Sequence, residues 1–505
     1  MSEVWGYVER EKRGELRKKR RAASKVLRDL QREQGMEPRP KSTLPNSKVS
    51  WKSVEEEQGA RQKTLEEYHK VWRTVLPVLL PRLAKIPDPR NPRSVKHKLT
   101  VLLSYGLLMF VLQMSSRREA NREMSKPQLW SNLQCLFPEL ESLPHHDTLN
   151  RLLGCIDVEE IQEAMADLVE GLIRNKKFWR YMVRKEYLIA IDGTRKFARD
   201  IPWASESLER HIPVGDGTKT KPEYYVYVLE ASLVFPNGII IPLHTEFLEY
   251  SDGDQKQDCE LKAFRRMAEW LKRRLPRLPI MVLLDGLYPN GPIMSLCHRY
   301  GWQFMIVLQD DALPSVWEEV WGLKPLQPDQ ELDQVWGDRK QHFWWVNDIQ
   351  YEYGTHRRLT VHVVVCEESW QEVARDSAEV VTKTARHAWI SSKPLSKGNV
   401  HYRCNLAARH RWAIENQILV EKHHGYEYEH CFSYNWNAMK GFHYLMRLGH
   451  LLNTLVGLSI YVVECVRMLG ARGFIRLVRE TLAGPWLDVG RIQALLTRRI
   501  QLRLA

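Results

Sequence analysis

The spacing of apolar and polar positions changes several times along this chain, and each change predicts a different element. From about residue 66 to 180 the period is helical. Val71, Leu76, Leu79 and Leu80 share one face, and Ile161, Met165, Leu168 and Leu172 recur after the capping-box-like start Asp157-Val-Glu-Glu160. Leu99 to Leu112 is apolar and uncharged, and at that length it predicts a buried helix rather than a membrane span. Residues 444–466 are longer but carry Arg447, His450, Asn453 and Glu464, so a core helix is expected there as well. Beyond residue 186 the apolar runs are short. Tyr187–Ile191, Tyr224–Phe235 and Ile239–Phe247 predict strands, the last two joined by the hairpin signal Pro236-Asn-Gly238. An amphipathic helix over Gln257–Leu275 turns Leu261, Phe264, Met267, Ala268 and Leu271 inward. Strand Ile280–Leu284, a helix over Pro292–Tyr300 and strand Trp302–Leu308 follow.

Strand, hairpin, helix, strand, helix, strand, helix is the order of an RNase H-like domain, whose first and fourth strands are neighbours. The expected fold class is therefore α+β or α/β, with an RNase H-like core in two parts, residues 181–308 and 395–465. A β-rich insertion, 309–394, is too long for a loop and is expected to form its own unit. Its clearest strands are Gln341–Val346, Arg358–Cys366 and Ala388–Ser391. The core is preceded by a basic arm, 1–65, holding a helix over Glu15–Gln34 and a flexible stretch at Pro38, Pro40 and Pro45, then by a helical domain, 66–180, expected to bind DNA. A basic helical tail, 466–505, closes the chain.

Charge sharpens this layout. The net charge is +13, yet residues 1–50 hold 14 Lys+Arg against 7 Asp+Glu and residues 466–505 hold 8 against 2, which leaves the body balanced. Basic ends on a neutral body favour a polyanionic partner through counterion release, and Arg17, Lys18, Lys19, Arg20 and Arg21 are the densest point. With 44% apolar residues in 505, the chain is globular rather than disordered. Eight scattered cysteines without a Cys-x-x-Cys pair or a secretory leader fit reduced thiols and a cytoplasmic, nucleoid-associated protein with no membrane role.

The candidate chemistry lies in three acids. Asp192 follows the run Tyr187–Ile191, Asp285 follows Pro279–Leu284, and Glu415 sits in the basic-aromatic stretch Arg409–Asn416. A carboxylate at the end of a buried strand calls for a cation or hydrogen bonds to offset its desolvation. Three of them fit a two-metal phosphodiester site, with Asp192 bridging both ions, Asp285 holding one and Glu415 the other. An all-carboxylate set favours Mg2+ or Mn2+ over zinc. At an even helical pitch Arg411 and Lys422 share the Glu415 face and are candidates to hold phosphates. Trp344 and Trp345, in an insertion holding seven of the chain's 18 tryptophans, are candidates to stack on a base. A zinc site from His401, Cys404, His423, His424, His430 and Cys431 is a competing constellation with loose spacing. Asp310 and Asp311 could rival Asp285 but read as a turn, and Glu246, Glu249 and Glu260, candidates to support the metal ligands, read more simply as structural or solvated charges.

Ile191-Asp-Gly-Thr194, Leu284-Asp-Gly-Leu-Tyr288 and Arg411-Trp-Ala-Ile-Glu-Asn416 with Lys422 resemble the motifs of bacterial insertion-sequence DDE transposases, in particular the cut-and-paste group with a β-rich insertion before the catalytic Glu. That group carries Tyr, Arg, Glu and Lys separated by two, three and six residues; Arg411, Glu415 and Lys422 match, while Ala408 stands at the Tyr position, with Tyr402 or Tyr426 as stand-ins. The resemblance covers about residues 145–460. It implies Asp192, Asp285 and Glu415 as catalytic metal ligands for two Mg2+ or Mn2+ ions. It also implies double-stranded DNA partners (terminal inverted repeats and target), a homodimeric synaptic complex, strand cleavage, a hairpin intermediate and strand transfer. A structure-selective RNase H-like nuclease, or a non-catalytic DNA-binding derivative of a transposase, are the alternatives.

Overall fold

The computed structural model describes the chain except residues 1, 39–43, 45–47, 216–218, 251–258 and 499, with side chains from residue 12 onward. Pro40, Pro45, Gln257 and Asp258 therefore lie outside the described residues. The chain opens with helices α1 (Ser2–Glu33), α2 (Val54–Leu83), α3 (Leu99–Val111), α4 (Arg117–Met124), α5 (Pro127–Leu136), α6 (His146–Leu153) and α7 (Glu159–Arg174). Strands β1 (Tyr187–Arg199), β2 (Leu208–Val214), β3 (Lys219–Val234) and β4 (Ile240–Leu248) lead to α8 (Glu260–Arg274), β5 (Ile280–Leu284), α9 (Gly291–Tyr300) and β6 (Gln303–Val307). Next come α10 (Pro314–Leu323), β7 (Glu331–Trp336), β8 (Arg339–Tyr353), β9 (Arg357–Val373) and β10 (Val380–Ser391). Four helices end the chain: α11 (Trp412–His423), α12 (Trp436–Gly457), α13 (Val463–Ala483) and α14 (Val489–Leu496). Two compact units result, residues 1–43 with 281–409, and residues 44–280 with 410–505. Among the described residues no helix is long and apolar enough to cross a membrane.

In the first unit β5 and β6 run parallel, and β10, β9, β8 and β7 continue from β6 as an antiparallel meander. The insertion therefore does not form a sheet of its own. Trp389, Ile390 and Ser391 of β10 pair with Val307, Ile306 and Met305 of β6. The apolar runs on both sides explain the join: Met305, Ile306, Val363–Cys366 and Ile390 are buried, and strands covered on both faces gain most by sharing one sheet. The C-terminal half of α1 docks here, burying Leu27, Gln31 and Met36, and the Glu37 amide donates to the Gly337 carbonyl at 3.0 Å. The N-terminal arm is thus a helix that starts well before Glu15, and the expected limit at residue 65 falls inside α2.

In the second unit β3 is the central strand of its sheet. Its one edge pairs with β1 along the whole of 224–234, and its other edge pairs with β2 and then β4. The β3–β4 turn falls where Pro236-Asn-Gly238 predicts it, with Gly238 at φ 86. β1, in contrast, runs eight residues past Ile191 because β3 is long enough to pair it out to Arg199. The apolar α3 is buried along nearly its full length against α12. The basic tail is not an arm: α13 buries Phe474, Ile475, Val478 and Leu482 against α2 and α5, and the Asn132 amide donates to the Leu482 and Gly484 carbonyls at 2.9 and 3.0 Å.

Backbone packing at Gly291, the first residue of α9, is close. A Cβ there would stand 2.1 Å from Cγ of the Tyr353 ring. Gly291→Ala is expected to destabilise the protein by about 1–3 kcal/mol, read as a lower urea midpoint at unchanged slope.

Candidate active site

Asp192 lies within β1 rather than at its end, directly across from Glu230 of β3, so the two carboxylates project from the same face. Their surroundings differ. Glu230 is fully buried, with Thr245 Oγ1 and Tyr428 Oη donating to it at 2.6 and 2.9 Å and Arg447 Nη2 forming an ion pair with it at 3.2 Å. Burial alone would raise its carboxyl, but Arg447, with His443 and Thr245, brings it down to about 2. The Asp192 side chain keeps 15% of its exposure, and Oδ1 lies 3.6 Å from Arg411 Nη1.

Glu415 comes to the same guanidinium from α11. Arg411 Nη2 donates to Glu415 Oε1 at 2.6 Å, so Asp192 and Glu415, remote in sequence, flank one cation. What holds α11 there is its buried face, Ile414, Gln417, Ile418 and Glu421. Ser232 Oγ of β3 donates to Gln417 Oε1 at 2.7 Å, and Arg447 Nη1 of α12 donates to both oxygens of Glu421 at 2.8 and 2.9 Å. The helix expected to include Arg409 is regular only from Trp412 to His423, a span that carries Glu415 and Lys422 with the helical Arg411 as its N-cap. Residues Tyr402–Ala407 form a wide π turn and Ala408–Arg411 a tight 3-10 turn before the regular helix begins at Trp412.

The glycine after Asp192 has a packing role. A Cβ at Gly193 would lie 2.6 Å from Cδ of Glu260, so the Glu260 carboxyl, which also accepts from Tyr227 Oη at 3.1 Å, rests against the β1 backbone. Lys196 was not anticipated from the sequence, where a lysine in a polar stretch looks solvated. It is 3% exposed, donates to the Tyr428 carbonyl at 2.6 Å and lies 3.4 Å from His443 Nδ1. Burial pushes its ammonium down to about 8, against the pull of Glu230, and burial likewise lowers His443 to about 4.

The remaining expected residues are placed as follows. Asp285 directly follows β5 in the other unit, where Oδ1 accepts from the Leu287 amide at 2.9 Å. Lys422 is paired with Glu429 at 3.0 Å. Trp344 and Trp345 are 4% and 3% exposed, so they fill the sheet core instead of offering a face to a base; Lys324 Nζ sits 3.8 Å over the Trp344 ring. Arg17, Lys18, Lys19 and Arg21 are exposed on α1, and Arg20 is half-buried. Tyr402 and Tyr426 are both buried, and Tyr426 Oη accepts from Asn453 at 3.0 Å. Asp310 forms an ion pair with Arg386, Glu246 with Arg266, and Glu249 with Lys440, which makes them structural charges. Among the described residues, the group of three metal-type side chains whose ligand atoms come within 4.8 Å of one another is His145, His146 and Asp147, none of them in either expected set.

Asp192 on β1 and Glu415 on α11 flank one guanidinium as a two-carboxylate cluster. Its donors are oxygens alone, which suits a hard divalent ion such as Mg2+ or Mn2+. Residues 80–169, from the end of α2 into α7, match the family model DDE_Tnp_1-associated, a domain found in DDE transposases. The match points to a transposase-related protein and spans helices that carry none of the three acids. No curated protein matches the chain.

The buried groups set a pH dependence. His443 stays neutral in the fold, so below about 6.5 the unfolded chain binds a proton that the folded one refuses, and stability falls as pH drops towards 4. Glu230, ionised in the fold down to about 2, adds a further loss below 4.5. Urea unfolding from pH 3 to 8 is expected to show both stages, and in His443→Gln the slope between 6.5 and 4 should be shallower by about one proton.

Proposed function

We propose that this protein is a DNA transposase that cleaves transposon ends and joins the 3′-hydroxyl to target DNA by a metal-dependent DDE mechanism. The observation that carries the reading is the meeting of Asp192 and Glu415 across Arg411, on the strand and the helix from which the sequence expected two of three metal ligands. The match at residues 80–169 supports it independently.

Asp192, Asp285 and Glu415 would hold two Mg2+ or Mn2+ ions. The ions would supply activation of the attacking oxygen and stabilisation of the leaving one. The chain's own residues do the rest. The Glu230–Arg447–Glu421 bridge holds the Glu415 helix against the sheet. Exposed Arg17, Lys18, Lys19 and Arg21 on α1 offer a phosphate-neutralising surface to duplex DNA, the partner class in this reading. Cut-and-paste excision through a hairpin and a homodimeric synaptic complex belong to the same proposal. So does a place of action at the bacterial nucleoid.

The test is a strand-transfer assay with a precleaved 3′-hydroxyl end cut from DNA flanking the gene. Joined product is expected with the wild-type protein, and cleavage without joining would instead identify a nuclease. Glu415→Gln is expected to lower both steps by at least about 100-fold while end binding in a gel shift stays within about twofold, because a metal ligand is lost and a phosphate contact is not. Retained cleavage in that variant would take Glu415 out of the site.

A further inference from the structure

Arg411 is 7% exposed, which sets it apart from an ordinary i, i+4 partner on a helix surface. A guanidinium carries five N–H donors, and a buried one is expected to use most of them. Here Nη2 makes a good bond to Glu415, whereas Nε and Nη1 are buried with no hydrogen-bond partner; Nη1 reaches Asp192 only at 3.6 Å. The side chain is thus placed by charge, between two carboxylates, with poor hydrogen bonding in return. Asp192 and Glu415 are the acids read above as metal ligands, and the inference rests on that reading. Their oxygens suit a hard divalent cation, and the position between them is taken by a cation that belongs to the chain.

We propose that Arg411 is a placeholder cation: it neutralises Asp192 and Glu415 in the protein without DNA, competes with divalent metal for them, and vacates them when its guanidinium finds other oxygens. Two close carboxylates with no cation between them repel, so a built-in positive charge keeps the site assembled. Its unsatisfied nitrogens make the arrangement easy to leave. A phosphodiester presents the planar pair of oxygens that a guanidinium fork matches, so arriving DNA can draw Arg411 off and open both acids to metal. By linkage, whatever favours one partner of Arg411 disfavours the other.

The test is Mn2+ binding to the full-length, DNA-free protein by calorimetry, comparing wild type with Arg411→Gln and Arg411→Lys, each checked for folding by circular dichroism. Arg411→Gln is expected to bind Mn2+ about tenfold more tightly than wild type, because the competing charge is gone, and Arg411→Lys to fall between them. Should Arg411→Gln fail to fold, Arg411→Lys alone carries the comparison. Equal or weaker Mn2+ binding in the folded variants would overturn the placeholder role and leave the transposase reading intact. Absence of any binding that Asp192→Asn abolishes, in wild type and variants alike, would overturn both.

Discussion

The bridge formed by Arg447 is the constraint on which the candidate site rests. Its guanidinium lies wholly inside the second unit, bonded to both oxygens of Glu421 on α11 and within 3.2 Å of Glu230 on β3. Two buried carboxylates would be prohibitively costly to desolvate alone, and removing one member of such a set typically costs about 3–5 kcal/mol. The bridge therefore works as a registry pin. With Glu421 fixed, the turn of helix carrying Glu415 and Arg411 has little freedom to slide along the sheet. Tyr428, His443 and His450 complete the set, and Lys196 brings the far end of β1 into it.

The first unit repeats the device with different residues. Glu368 of β9 is buried and takes bonds from Arg409 at 2.7 Å and Gln341 at 3.0 Å and pairs with Arg339; together with His387 they bring its carboxyl down to about 2 in spite of burial. Arg409 belongs to the irregular turns that lead into α11. The segment returning from the inserted strands is thus clamped by charge immediately before the candidate site begins. Replacing a buried ion set with apolar residues of similar size is often neutral for stability, whereas removing one member of it is costly.

Much of this was legible in the residues. The helical period before residue 180, the hairpin at Pro236–Gly238, and the strands ending at Leu284 and near Leu308 all fall where local pattern places them, because each is set by burial of its own apolar positions. Asp192 could be named because an acid beside a fully apolar run is out of place unless something offsets it, and Glu415 because it is an acid within the basic-aromatic stretch Arg409–Asn416. What pattern did not reveal depends on partners far away in the chain. β1 reads as ending at Ile191 because Asp192 to Arg199 is polar, and only the length of β3 keeps it extended. Lys196, Glu230, Glu421 and Arg447 look like surface charges one at a time, and their burial follows from one another. Trp344 and Trp345 read as stacking candidates by type, but type is silent on which face of a strand is covered, and both are core. The tail, basic in composition, hides an apolar stripe at Phe474, Ile475, Val478 and Leu482 that net charge does not register.

The pairing of β10 with β6 reaches beyond topology. Because the inserted strands extend an existing sheet, residues 309–394 are not a detachable ornament. Cutting them out would bare the main-chain amides and carbonyls along β6, the kind of raw margin onto which another chain readily zips. The insertion thus keeps covered an edge of β6 that would otherwise lie open.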